Sequence, residues 1–354
     1  MKRIKNILNG VCRLHLAAAS RCILLVACSL PLAACLRAQD PTFSQFFSSP
    51  LNINPALTAN INSDWRAITN YRSQWMNATS PYVTGTISYD TKVQQKNAFQ
   101  EENNYVGLGG MLMFDRAMGG IAKAIYGSID LSYSIKLVEG NSEHRLGIGF
   151  GATYGKRSVD YSRLDFEEQY TGFGFNTNLP TGETALSDMK GFVSVNTGLT
   201  YSIRSENSNF DIGAAVFHVN KPKQTFLNDE NQRLAMRQVA HANFETYIND
   251  RTLLNLAAIY QKQTSATYLS VGGGIGYYLG DATGPIINAG LWYWKENGFV
   301  PYIGLVKNNF QFGFSYDVTT SKLNESARKP SSIELSLIFR GSREPSKNIP
   351  CPWK

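Results

Sequence analysis

Beyond residue 38, three histidines, an acidic pair and a glycine run are the residues whose types could do chemistry. His144, His218 and His241 show none of the short spacings of a metal site. The sequence contains no His-Glu-x-x-His, no Gly-x-Ser-x-Gly elbow and no phosphate loop. Glu167-Glu168 falls in a long polar stretch and reads as solvated surface. Gly272-Gly273-Gly274-Ile275-Gly276 would cradle a phosphate only between a strand and a helix. Here the glycines interrupt a strand pattern, where they serve packing or a bend. No catalytic residue, metal or cofactor is assigned, and an enzyme is not expected.

Residues 1–38 must be set aside before charge is interpreted. Lys2, Arg3, Lys5, Arg13 and Arg21 precede an apolar run from Cys22 to Leu36, too short to span a bilayer. Cleavage after Ala38 makes this a secretory signal peptide, although Leu32-Ala33-Ala34-Cys35 also fits a lipoprotein signal in which Cys35 is lipidated. The whole chain has 34 Lys+Arg and 27 Asp+Glu, net +7. Six of the basic residues lie at or before Arg37, which leaves 28 against 27 acids, net +1. Nucleic-acid binding therefore loses its electrostatic support. Cys12, Cys22, Cys28 and Cys35 leave with the signal, so Cys351 alone cannot staple the exported chain internally.

What would position any functional residue is a sheet. Phe310–Val318 alternates aromatic residues with Gln311, Gly313, Ser315 and Asp317, the period of two that marks a strand. Ile333–Arg340 repeats this with charged inward positions. Across Ile125–Leu137, Ile129, Leu131, Tyr133, Ile135 and Leu137 face out, while Asp130, Ser132, Ser134 and Lys136 face in. Lipid outside and a polar or glycine-lined lumen inside would explain this pattern in strands of about 9 to 14 residues. Tyr71, Trp75, Tyr82, Tyr89, Tyr277, Tyr278, Trp292, Trp294 and Tyr302 are expected to form interfacial girdles. The fold class is all-β, a transmembrane antiparallel β-barrel of about 14 strands over residues 63–340, with a periplasmic tail at 341–354.

Loop parity tests that count. The long connections 156–189, 219–235 and 319–331 follow odd strands and belong outside; the tight turns at Ser205–Asn207, Asp250-Arg251 and Lys307-Asn308 follow even ones. Lys92–Asn103 is the exception, long for a periplasmic turn.

The segment 39–62 has no strand period, and its prolines exclude a ladder strand or a long helix. Phe43, Phe46, Phe47, Leu51 and Ile53 make it too apolar for a solvated tail. It is expected to pack in the lumen or across the periplasmic mouth. Its Gln39-Asp40-Pro41-Thr42-Phe43-Ser44-Gln45 and Asn54-Pro55-Ala56 resemble the opening of the PorP/SprF family of type IX secretion membrane proteins. Tyr71-Arg72-Ser73-Gln74-Trp75 is similar to that family's first-strand motif. Val106-Gly107-Leu108-Gly109 through Asp115-Arg116, and Gly313–Asp317, are similar as well. The long leader and the charged connection around Thr319–Lys329 depart from the family pattern.

The resemblance implies a non-enzymatic component of type IX secretion in the cell outer membrane and, in gliding species, of gliding motility. Its implied partners are secretion components in the outer membrane and periplasm, a secreted surface protein and outer-membrane lipid. Gln39, Asp40, Pro41, Phe43, Ser44, Gln45, Phe46, Asn54 and Pro55 are the candidate partner-binding or plug residues; Tyr71, Arg72, Gln74 and Trp75 are the candidate strand residues. The alternative is an outer-membrane channel for small solutes.

Overall fold

The computed structural model describes residues 39–342, apart from 77–79, 95–103, 139, 184–188, 225–231, 281–283, 296 and 321–330. The signal sequence, Cys351, most of Lys92–Asn103 and most of the charged connection before the last strand lie outside the described residues. The described residues from Pro41 onward form one compact unit, which holds the sheet.

Fourteen strands form that sheet. They are β1 (Trp65–Gln74), β2 (Tyr82–Gln94), β3 (Asn104–Ala117), β4 (Ala122–Val138), β5 (Ser142–Val159), β6 (Phe192–Ser205) and β7 (Ser208–Phe217), followed by β8 (Arg237–Asn249), β9 (Thr252–Gln263), β10 (Ala266–Tyr278), β11 (Ile286–Trp294), β12 (Gly298–Lys307), β13 (Phe310–Thr319) and β14 (Ser331–Gly341). Every strand pairs antiparallel with its neighbours in sequence, and β1 pairs with β14, which closes the barrel. Closure leaves no unpaired edge, as hydrocarbon surroundings require. Among the described residues no helix is long and apolar enough to cross a membrane.

The expected alternation holds strand by strand. Ile129, Leu131, Tyr133, Phe312 and Tyr316 are exposed on the outer surface, while Asp130, Ser132, Gln311, Ser315 and Asp317 are buried within. The described parts of the connections 160–191 and 218–236 lie at one end, and 206–207, 250–251 and 308–309 at the other. We call these the long-loop end and the short-turn end.

The aromatic assignment needs correction. Tyr71, Tyr82, Tyr89 and Tyr277 do stand on the outer surface, and Trp75 meets Tyr82 edge to face at 5.1 Å. Tyr278, Trp292 and Tyr302 are instead buried on the inner face, and half-buried Trp294 packs against Tyr268 at 4.9 Å. Strand parity sets the difference, since Trp292 alternates with outward Leu291 and Tyr293 and Tyr302 with outward Pro301 and Ile303, and glycine makes room for the rings. A Cβ at Gly272 or Gly290 would strike Trp292, and one at Gly304 or Gly313 would strike Tyr302. These four glycines leave the space that the two rings occupy on the inner wall.

Candidate functional site

The inner wall is occupied by the chain's own leading segment. Pro50 and Pro55 each open a short 3-10 turn, Pro50–Asn52 and Pro55–Leu57, where a missing N–H costs nothing and the fixed φ favours the bend. Phe46–Ser48 forms a third. Nine main-chain hydrogen bonds lie within residues 45–61, and the wall must satisfy the groups that remain.

It does so at three levels. Nearest the long-loop end, the Glu334 carboxylate on β14 accepts the main-chain N–H groups of Ser44 at 2.8 Å and Gln45 at 3.0 Å. Arg72 on β1 reaches Asp317 at 2.7 Å and Glu334 at 3.4 Å, with all three side chains buried. It also donates to Ser44 Oγ at 2.8 Å and to Thr42 O at 3.1 Å. The Gln45 amide donates to Ser315 Oγ and Glu334 O and accepts from Ser336 Oγ at 2.7 Å. Barrel closure assembles this cluster, because Arg72 and Glu334 stand opposite in the β1–β14 register.

Midway, Asn54 caps its turn by accepting from Ala56 N at 2.8 Å. Its amide donates to Leu199 O at 3.0 Å and lies 3.0 Å from His241 Nε2. Gly149 and Gly198 are what let the backbone come so close: a Cβ on Gly149 would overlap Ala56 N, and one on Gly198 would overlap Asn54 Oδ1. At the short-turn end Asp90 accepts from Ala59 N at 2.8 Å and pairs with buried Arg66 at 2.7 Å. Asn60 contacts Asp211 and Arg204 there at 3.1 and 2.9 Å. The segment thus runs from Thr42, near the long-loop end, down the inner wall to β1.

Apolar contacts complete the fit. Phe47 lies 4.9 Å from Trp292 and 5.4 Å from Tyr302, and Phe46 and Ile53 join the same buried cluster. Phe43 packs against Met113, Tyr126 and Phe192, with Leu234 from the connection after β7. Rings in such pairs add about 0.5–1.5 kcal/mol beyond their area.

Most of the expected site residues converge here. Ser44, Gln45, Asn54 and Arg72 join through hydrogen bonds; Phe43, Phe46 and Pro55 are buried beside them. Pro41 accepts a long 3.4 Å bond from Asn52. Tyr71 faces outward; Gln74 ends β1 opposite Ser332, and the main-chain N–H of Trp75, just beyond the strand, donates to Ser332 Oγ at 3.4 Å. Gln39 and Asp40 precede the compact unit. Glu334, Asp317, Asp90 and Arg66 carry the charge of the site; their sequence signal was a charged residue at an inward position. Among the described residues no group of His, Cys, Asp or Glu is placed to hold a metal ion.

Over residues 36–339 the sequence matches the family described as type IX secretion system membrane protein PorP/SprF. The chain belongs to the PorP/SprF family. Membership makes it an outer-membrane component of type IX secretion, and the closed barrel is its membrane-spanning part. No curated protein matches the sequence. Solved structures similar to this PorP/SprF protein include the toluene transporter TodX of P. putida, at 9% identity and TM-score 0.46, covering 82% of this chain and 93% of that one. The CymD monoaromatic hydrocarbon channel is 11% identical at TM-score 0.45, covering 83% and 92%. CdiB from Escherichia coli is 8% identical at TM-score 0.44 over 77% of this chain, which spans 63% of CdiB's length.

Proposed function

We propose that this barrel is a non-enzymatic docking platform of the type IX system, closed by its own residues 41–62 rather than open to solutes. The observation carrying this reading is the buried network of Arg72, Asp317 and Glu334 on Ser44 and Gln45. A segment held only by apolar contact could slide; one whose main-chain donors end on a buried carboxylate is fixed in register. With the lumen filled, recognition falls to the two ends. The connections 160–191 and 218–236 would hold a secreted surface protein, an adhesin in a gliding cell, and the short-turn end would meet periplasmic components. Residues 1–38 act as the signal peptide in this reading.

Deleting the gene tests it. Secretion of type IX cargo, or of one adhesin, should be lost while small-solute uptake stays normal. Intact secretion with reduced uptake would favour the solute channel and sink the platform.

A further inference from the structure

Two features of the long-loop end are not explained by the filled lumen. The first is a finger in the connection after β5. Tyr170 bridges to Phe175, with their rings 5.2 Å apart, and Gly172 and Gly174 supply the positive φ of the turn between them. The Thr171 N–H donates to Gly174 O at 3.0 Å, and the buried Gln169 amide donates to Leu179 O at 3.0 Å. Its own bonds therefore hold the finger in shape, yet Phe173 at the tip is wholly exposed and Tyr170 and Phe175 are exposed beside it. Asp165, Glu167 and Glu168 at the base are exposed as well. The second feature is a row of cations on the outer wall. Arg116 on β3 stands opposite Lys123 on β4, and Lys156 on β5 stands opposite Ile125. All three are exposed, and among the described residues none forms an ion pair. Like charges set side by side repel, and an acidic partner relieves this. Exposed Phe114 and Met118 flank the row.

We infer that the finger of one copy docks on the cation row of a second copy of this chain. Its carboxylates meet Arg116, Lys123 and Lys156, and its rings meet Met118 and Phe114, a pairing that sulfur and aromatic groups favour. The chain supplies both halves of this match by itself. A lipid phosphate would suit the cations alone, and the acidic finger rooted beside them repels it. That root is fixed: the Asp160 N–H donates to Ile121 O at 2.9 Å and Arg163 Nη2 to Gly119 O at 3.4 Å, which holds the start of the connection against the β3–β4 turn. Finger and row thus share one sector of the barrel, so a two-fold axis along the membrane normal repeats the contact and closes a dimer. The inference goes beyond the platform reading and does not depend on it.

The full barrel in phosphatidylcholine vesicles, which carry no net-charged lipid, tests this. Copies labelled on Cys351 with a donor or an acceptor dye are mixed, and energy transfer between them reads pairing. Transfer should persist as the vesicles are diluted with lipid. Glu167→Lys with Glu168→Lys should lower it severalfold, and so should Lys123→Glu with Lys156→Glu. Mixing these two variants should restore it, because each lysine finger then meets an acidic row and each acidic finger a cationic one. Phe173→Ser should weaken pairing with no change of charge. All these positions are exposed, and heat-modifiable gel migration confirms that each variant folds. Wild-type transfer no greater than random crowding gives would overturn the inference. So would folded variants that pair like wild type, or two charge-reversed variants that stay apart when mixed.

Discussion

Glu334→Ala should release the beginning of the inner segment while leaving the barrel closed. The carboxylate accepts two buried main-chain N–H groups, at 2.8 and 3.0 Å, and stands 3.4 Å from Arg72. Hydrogen bonds to charged groups contribute about 1.5–3 kcal/mol each, so two lost bonds amount to roughly 3–6 kcal/mol. Arg72 keeps Asp317 at 2.7 Å, and removing one of two neighbouring carboxylates relieves repulsion. We therefore take the lower part of the range, about 3 kcal/mol, which is on the order of a hundredfold in local opening. Hydrogen exchange on the full-length barrel reads this directly. Peptides covering 42–49 should exchange on the order of a hundredfold faster in the variant, with β3–β5 unchanged. Glu334→Gln, which retains a carbonyl acceptor, should fall between. Wild-type protection at 42–49 in a folded Glu334→Ala barrel would refute the reasoning.

Other positions give independent checks. Asn54→Ala removes a turn cap worth about 1 kcal/mol along with the bond to Leu199 O, and should raise proteolysis between 50 and 60 without changing heat-modifiable migration. Gly149→Val places a side chain on the backbone of Ala56; segment 54–58 should lose exchange protection more than in Asn54→Ala. Asp90→Ala strands buried Arg66, and losing one partner of a buried pair costs about 3–5 kcal/mol. The gel-shift transition of that variant should move to lower temperature, and further than for Asp90→Asn.

How far the sequence reveals this depends on what each residue faces. Lipid imposes one requirement along a whole strand, so alternation in stretches such as Phe310–Val318 shows the strand and its inward face directly. The interior has no such rule. Trp292 and Tyr302 resemble girdle residues by position near strand ends, but their parity in β11 and β12 points them inward, where Gly290, Gly304 and Gly313 leave room for the rings. The composition of 39–62 shows an apolar segment that must pack somewhere. Its site depends on contacts such as Ser44 with Glu334, remote in sequence and joined only when β1 meets β14. Arg72 was visible through its motif; that two carboxylates share it was not.

The most direct test of the closed platform is conductance of the purified full-length barrel in planar lipid bilayers, beside a variant lacking residues 41–62 whose fold is confirmed by heat-modifiable migration. The account predicts no sustained conductance from the intact barrel and open-pore steps from the variant. Steady open-pore conductance from the intact barrel would contradict it.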